Sequence, residues 1–143
     1  MTVKVILGEK GRDVVTIAPS ATLQQAASLM TARRIGALVV LGADQRVVGI
    51  ISERDIVTEI AERGAATLDE PVSGCMTREV ITVSETLATE ELMEVMTQRK
   101  VRHLPVLEHE RLVGIISIGD VVKRRVTDME QESAALQAYI RSA

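Results

Sequence analysis

Residues 48–55 read VGIISERD, and residues 113–120 read VGIISIGD. Six of the eight positions are identical: the Val, the Gly, both Ile, the Ser and the Asp. Outward from this stretch, further identities pair Val14 with Val80, Thr16 with Thr82, Met30 with Met96, and Leu38 with Leu104. A solenoid array needs more copies and shorter repeats, of about 20 to 50 residues. The chain therefore contains two copies of one unit, which we expect to pack as a pseudo-twofold pair.

Each copy is predicted to fold as βαββα. In the first copy, strand 14–17 precedes a helix whose apolar stripe ends near Gly36, and strands 37–41 and 46–51 flank a turn. The second copy repeats this order with strands 80–83, 104–107 and 111–116. Apolar runs such as residues 47–51 favour sheets covered on both faces. We predict a mixed α/β (α+β) fold in which two βαββα units pack through their sheets.

The chain divides into four predicted segments. Residues 1–63 form the first unit with an N-terminal arm, and residues 64–74, which contain Gly and Pro, form a connector. Residues 75–126 form the second unit, and residues 127–143 form a C-terminal helix. The apolar residues of the stretch 122–140 fall near one helical face, so we expect this helix to cover the module or to contact a partner.

Composition narrows the class of protein. With 143 residues, 46% of them hydrophobic, the chain suits one globular domain. A net charge of -3 argues against nucleic acid as a partner, and polar residues interrupt every apolar run before it reaches the roughly 18 to 20 residues of a membrane span. The single Cys75 and the absence of an apolar leader predict a cytoplasmic protein. Tyr139 is the only aromatic residue, so the predicted core is aliphatic.

The repeated Gly-Ile-Ile-Ser-x-x-Asp motif lies where a strand becomes a helix. A Ser at the N-cap accepts a hydrogen bond from a first-turn amide, and an Asp three residues later complements the helix dipole. Helix capping is therefore one sufficient explanation of Ser52 with Asp55 and of Ser117 with Asp120. The same geometry also suits a nucleotide, because free amides attract phosphate and a carboxylate accepts hydrogen bonds from sugar hydroxyls.

Several segments together resemble a known family. The βαββα order, the segments MTREVITV at 76–83 and VRHLPV at 101–106, and the doubled motif are similar to a tandem pair of cystathionine β-synthase (CBS) domains, a Bateman module, here stand-alone. The resemblance implies two clefts between the units, which bind adenosine-containing ligands. It also implies that two modules pair as a homodimer.

The resemblance assigns roles to particular residues. In one cleft Asp120 would hold the ribose and Ser117 would touch phosphate, while in the other Asp55 and Ser52 would do the same. Each adenine pocket would come from the opposite half. The implied pocket residues are Thr16, Ile17, Ile35, Gly36 and Ala37 for the Asp120 cleft, and Thr82, Val83, Val101, Arg102, His103 and Pro105 for the Asp55 cleft.

The two clefts are predicted to differ. Arg102 and His103 stand where the first copy has Gly36 and Ala37, and Arg54 stands where the second copy has a Gly. We expect Arg54 and Arg102 to bind phosphate on the Asp55 side, with solvated surface charge as the alternative, more so for Arg54 than for Arg102. His103 is expected to make a structural hydrogen bond. The small Gly36 and Ala37 are expected to leave room for the far half of a dinucleotide in the Asp120 cleft.

The expected function is regulatory. Neither Cys75 nor the two His stand at metal-ligand spacing, and Ser52 with Asp55 has no nearby His to act as a base, so we expect no catalytic residue, catalytic cofactor or metal. We expect energy sensing through AMP, with ATP or NAD(H) as alternatives, and signalling to an unidentified protein in trans. Two other hypotheses stay open: a dimerisation adaptor that uses the fold without a ligand, and a small enzyme.

Overall fold

A computed structural model describes residues 1–142. Along this range the chain forms α1 (Val3–Lys10), β1 (Thr16–Ile17), α2 (Leu23–Arg33), β2 (Ala37–Leu41), β3 (Val47–Ser52), α3 (Glu53–Arg63), α4 (Thr89–Arg99), β4 (His103–Glu108), β5 (Arg111–Ser117) and α5 (Ile118–Ser142). Two short 3-10 helices, Ala65–Asp69 and Val72–Gly74, connect the two halves. The mixed fold with two related halves is confirmed.

The first half contains a three-stranded sheet in the order β1-β2-β3. Strand β1 pairs parallel to β2, with Thr16 opposite Val39, and β2 pairs antiparallel to β3, with Ala37 opposite Ser52. Helix α2 buries Leu23, Ala26 and Met30 against this sheet. The predicted strand 14–17 is therefore shorter than expected, because only its last two residues pair with β2.

The second half contains the hairpin β4-β5, in which His103 lies opposite Ser117 as Ala37 lies opposite Ser52. The predicted strand 80–83 was wrong in extent, since only Val83 pairs with Val106, in a single parallel bridge. The carboxylate of Glu108 accepts a hydrogen bond of 2.8 Å from the amide of Glu85. Side-chain bonding thus replaces the strand ladder directly after Val83.

Helix α1 completes the core of the second half. The sequence predicts this N-terminal arm as part of the first unit, whereas Val3, Ile6 and Leu7 are buried in the same cluster as Leu92 and Leu104 of the second half. The connector between the halves completes the core of the first half in the same way, because its Val72 is buried there. The backbone bonds match, because Val3 N donates to Leu87 O at 2.9 Å and Val72 N donates to Ala21 O at 2.7 Å. Each core is closed by the segment that precedes the other half.

Helix α5 is continuous from Ile118 to Ser142. It joins the end of the second unit and the predicted C-terminal helix 127–143 into one element, and Ala143 lies outside the described residues. None of the helices in the range 1–142 has the length and apolar composition that crossing a bilayer requires.

The close approach of α1 to β5 predicts the effect of Gly114→Ala. A Cβ at Gly114 would lie 2.6 Å from Cδ2 and 2.8 Å from Cδ1 of Leu7, which is fully buried. Because Leu7 has no free space to move into, we expect a loss of about 1 to 3 kcal/mol in the free energy of unfolding, measured by urea denaturation.

Gly8→Ala is the matched control on α1. A Cβ at Gly8 meets nothing within 4 Å, so this change should stabilise the helix by about 0.5 to 1 kcal/mol. Equal effects of the two substitutions would contradict the packing of α1 described above.

Candidate functional site: two clefts between the halves

In each half, a backbone hydrogen bond joins the first residue of a helix to the residue before a strand. The Glu53 amide at the start of α3 donates to the carbonyl of Gly36 at 3.0 Å, and the Ile118 amide at the start of α5 donates to the carbonyl of Arg102 at 2.8 Å. Gly36 and Arg102 directly precede β2 and β4. These bonds hold the loops before β2 and β4 beside the positive ends of α3 and α5.

Both Ser-x-x-Asp motifs form capping boxes. Ser52 N donates to Asp55 Oδ2 at 2.8 Å, and Asp55 N donates to Ser52 Oγ at 3.2 Å. The same two distances recur between Ser117 and Asp120. The motif therefore stabilises the helix starts. In Asp55 the capping bond uses one carboxylate oxygen, Oδ2, and leaves Oδ1 to accept from a ligand.

The larger cleft contains Asp55 and has a volume of about 590 Å³. Its charged side chains are those of Arg54, Lys100 and Arg102, set against Glu53 and Asp55. The apolar part of the lining is provided by Ile50, Val57 and Val101. The cleft combines an excess of positive charge, a helix N-terminus and aliphatic walls.

The smaller cleft contains Asp120 and has a volume of about 310 Å³. Lys10 at the end of α1 enters it, with Nζ 2.6 Å from Asp120 Oδ2 and 2.8 Å from the carbonyl oxygen of Ile115. In the other half the equivalent carbonyl, of Ile50, accepts instead from the amide of Thr77 at 2.9 Å. A lysine side chain thus takes the place of a backbone donor and brings a positive charge to Asp120.

Lys10 changes the ionisation of Asp120. Burial alone raises the pKa of this carboxyl, but the hydrogen bonds from Lys10 and from the Ser117 amide outweigh burial. The pKa of Asp120 therefore lies below its ordinary value. At neutral pH the smaller cleft holds an ion pair.

His103 lies between the two clefts and lines both. Burial lowers its pKa below the ordinary value, and the positive charge of Lys10 lowers it further, while Glu53 and Asp120 act in the opposite direction. The imidazole is neutral at pH 7, so His103 offers a hydrogen bond to a ligand without adding charge. Across residues 1–142, no group of three or more His, Cys, Asp or Glu side chains is placed to hold a metal ion.

The structure brings most of the predicted site residues together. The Asp55 cleft is lined by Ser52, Arg54, Asp55, Val101, Arg102 and His103, and the Asp120 cleft by Ile35, Gly36, Ala37, Ser117 and Asp120. The expectation of extra room in the Asp120 cleft was wrong, since this cleft is the smaller one and Lys10 and Asp13 line it. Gly36 and Ala37 line both cavities.

Five predicted pocket residues lie outside the clefts. Thr16 and Ile17 pair with Val39 and Val40, further along the sheet than the cleft-facing start of β2. Val83 pairs with Val106 in the same way, and with Thr82 it lines a separate surface depression beside α4. Pro105 is buried within β4. The pairing register places these residues beside the middle of β2 and β4, whereas the clefts lie at the starts of these two strands.

Sequence reasoning missed several residues that line the clefts. Arg34 and Lys100 occupy equivalent positions, each ending its helix in a left-handed conformation with φ of 55° and 54°. Their alignment in the repeat, basic residue over basic residue, was a usable signal. Lys10 and Thr77 lie before the first aligned pair of the repeat, Val14 with Val80, so the repeat gave no indication of them.

Comparison with known proteins identifies the fold and its relatives. A family model, the CBS domain, matches residues 10–62 and residues 72–127. A crystal structure of a CBS-domain containing protein from Agrobacterium tumefaciens is 50% identical, with a TM-score of 0.85 over 87% of this chain and 92% of that one. A mitochondrial CBS domain-containing protein of Arabidopsis thaliana is 37% identical over 83% of this chain. The chain spans only 60% of the length of that plant protein.

Two further solved structures contain ligands. A CBS domain protein from Pyrobaculum aerophilum, complexed with AMP, is 30% identical and has a TM-score of 0.75, covering 84% of this chain and 89% of that one. The CBS domain pair of protein MJ0100, in complex with 5'-methylthioadenosine and S-adenosyl-L-methionine, is 25% identical and has a TM-score of 0.79 over 90% of this chain and 98% of that one.

The ion pair in the smaller cleft predicts a pH dependence for Lys10→Met. A carboxyl whose pKa is lower in the folded than in the unfolded state, where it is about 3.9, stabilises the fold above that pH, and the contribution is lost as the pH falls through the folded pKa. Without Lys10 the pKa of Asp120 rises, because burial stays and one hydrogen bond is removed. Lys10→Met should therefore cost stability at pH 7 and cost less near pH 3, as measured by urea denaturation.

Arg33→Met is the control, since it removes an exposed positive charge at the end of α2. The bond lost from the Ile115 carbonyl is independent of pH, so it cancels when the two pH values are compared. A cost for Lys10→Met that is the same at both pH values would argue against the ion pair.

Proposed function

The chain belongs to the CBS domain family, and we propose that it is a regulatory module that binds one adenine nucleotide in the Asp55 cleft. The observation that carries the proposal is the composition of this cleft. A half-buried carboxylate with one free oxygen lies beside three cations and the N-terminus of α3. The volume of about 590 Å³ falls in the range of roughly 300 to 1,000 Å³ that is typical of small-molecule sites.

Two features of the Asp55 cleft support an adenosine group in the ligand: the uncapped Oδ1 of Asp55 and the aliphatic side chains of the lining. In the proposed complex Asp55 Oδ1 would accept hydrogen bonds from ribose hydroxyls, and Ile50 and Val101 would offer apolar surface to the base. The ligands of the two relatives, AMP on one side and 5'-methylthioadenosine with S-adenosyl-L-methionine on the other, have adenosine in common. Adenosine is accordingly the part of the ligand that this fold best supports.

The phosphate is proposed from the charges. Arg54, Lys100 and Arg102 outnumber the two acidic side chains of the cleft, and the start of α3 adds the positive end of its dipole. An arginine donates to phosphate as a bidentate fork. These charges favour AMP over an uncharged nucleoside, with ATP and NAD(H) as the alternative ligands.

The Asp120 cleft is proposed to be the weaker site. Lys10 already neutralises Asp120, and the cavity has about half the volume of its counterpart. A ribose at Asp120 Oδ1 would meet a carboxylate whose charge the Lys10 ammonium group already compensates at Oδ2. We therefore expect one high-affinity nucleotide per chain, although the repeat supplies two motifs.

The proposed mechanism is a shift between conformations, with no catalysis. The Asp55 cleft takes Ser52 and Asp55 from the first half and Val101 and Arg102 from the second. A ligand that touches both halves favours the arrangement that it fits best. The proposal includes a homodimer in the cytoplasm, which reports the nucleotide level to a protein partner in trans.

One observation favours the adaptor as the second candidate. The capping boxes account for both Ser-x-x-Asp motifs without any ligand. An adaptor of this fold would keep the motifs for helix stability alone. The two candidates differ in whether a nucleotide stabilises the protein.

Asp55→Asn tests the nucleotide site while retaining the cap. The Asn carbonyl still accepts from the Ser52 amide, but its amide group presents a donor where Asp55 offered an acceptor to the ribose. Because hydrogen bonds to charged groups contribute about 1.5 to 3 kcal/mol, AMP should bind roughly ten- to a hundredfold more weakly, as measured by isothermal titration calorimetry.

Asp120→Asn is the matched control and should leave both the AMP affinity and the stoichiometry of one unchanged. The wild-type melting temperature should rise with millimolar AMP, because a ligand that binds only the folded state stabilises it. If none of AMP, ADP, ATP, NAD, NADH and S-adenosylmethionine raises it, the sensor is rejected and the adaptor stands.

A further inference from the structure

Helix α5 extends well beyond what the repeat requires. Its counterpart α3 has 11 residues, whereas α5 has 25, and the match to the CBS domain model ends at residue 127. Every residue from Met129 to Ser142 is exposed. The last four turns of this helix therefore lie beyond the match to the family model, and they stand free of the two cores.

Besides Ile118 and Tyr139, which lie to one side, five large exposed apolar side chains of α5 follow a heptad. They lie alternately four and three residues apart, at Val122, Val126, Met129, Leu136 and Ile140, with Ser133 at the one polar position of the series. These five apolar residues are 47% to 63% exposed. A spacing of 4-3-4-3 is the a/d pattern of a coiled coil, with Val126, Ser133 and Ile140 at a and Val122, Met129 and Leu136 at d.

The opposite face of α5 holds the helix to the body of the protein. Val121 and Arg124 are buried, and Arg124 donates to Asp128 at 2.6 Å and to Glu9 of α1 at 2.5 Å. The a/d stripe consequently faces away from the chain's own cores. It is available to another molecule along its whole length.

We propose that this stripe pairs with the same stripe of a second copy, as a parallel two-stranded coiled coil that extends from the module. The inference deepens the homodimer included in the proposed function and does not depend on nucleotide binding. Burying the stripe removes apolar side chains from water, which is the main source of stability for most protein helices.

The flanking charges favour the parallel orientation. Arg125 is at g and Glu130 is at e of the next heptad, so a parallel pair places each Arg125 beside the partner's Glu130 on both sides of the stripe. An antiparallel pair that overlaps the whole stripe brings Glu130 and Glu132 next to the same acidic residues of the other copy. Opposite charges meet in the first arrangement and like charges in the second.

A membrane surface fits the same helix less well. Residues 127–142 contain Asp128, Glu130 and Glu132 against the single basic Arg141. Amphipathic helices that lie on membranes carry Lys and Arg on the polar face, which attract anionic lipids. This protruding part of α5, which follows the basic residues Lys123 and Arg125, is acidic and would be repelled.

The short length of the stripe is offset by its attachment. An isolated helix of this size is marginal in water because its first turn is costly to form. In α5 the first turns are already fixed by the packing of Val121 and Arg124. The rest of the helix therefore needs only to extend from these turns, without a new nucleation step. In the proposed homodimer, pairing of the modules keeps the two helices close together.

Disulfide trapping tests the proposal in the full chain. In a Cys75→Ser background, Ser133→Cys places a thiol at a, where a parallel in-register pair brings it opposite its own copy at disulfide distance. Ala138→Cys places a thiol at f, on the outside of the pair. We expect Ser133→Cys to form disulfide-linked dimers at least roughly tenfold faster than Ala138→Cys under mild oxidation, because pairing raises the local thiol concentration.

Leu136→Asp added to the Ser133→Cys chain should abolish the rapid cross-link while leaving the melting temperature of the body unchanged. Cross-linking of Ser133→Cys that is no faster than that of Ala138→Cys, or that survives Leu136→Asp, overturns the proposal. AMP titration of the same variants separates this outcome from a failure of the nucleotide site, which lies in the part of the chain that these changes leave intact.

Discussion

The packing of Leu7 against Gly114 and of Met76 against Gly49 closes the two hydrophobic cores, and each contact joins one half of the chain to the segment that precedes the other half. A Cβ on either glycine would lie 2.6 Å or 2.4 Å from the side chain that covers it. Only a glycine allows this approach at either place. Because each core needs a segment from elsewhere in the chain, the halves stabilise one another, and their relative position, which shapes both clefts, is set by core packing.

Within that frame the Ser-x-x-Asp motifs serve structure first. Each Asp holds its N-cap residue through one carboxylate oxygen, and this bond fixes the direction in which the carboxylate points. A ligand at Asp55 would use the second oxygen, so binding and helix capping do not compete. The cap pre-organises the carboxylate, which lowers the entropic cost of binding.

Structural features were predictable from the sequence when the residues that form them are close together along the chain. The caps at Ser52 and Ser117 were predictable because all their partners lie within three residues. The strand ends at Val14 and Val80 were misjudged because pairing partners lie more than twenty residues away and set the register. Lys10 was missed because its contact with Asp120 spans 110 residues. The repeat did indicate one relation between distant residues, because it showed that Ser52 and Asp55 correspond to Ser117 and Asp120.

Lys10 also shows how two copies of one unit came to differ. Its neighbour Glu9 pairs with Arg124 at the buried base of α5, while Lys10 pairs with Asp120 one turn earlier on that helix. Two adjacent residues of α1 therefore contact both the smaller cleft and the helix that leaves the module. Displacing Lys10 from Asp120 would remove one of the two ion pairs between α1 and α5. The smaller cleft, in which Lys10 pairs with Asp120, is thus the one that contacts the protruding helix. The Asp55 cleft retains the charges that suit a nucleotide.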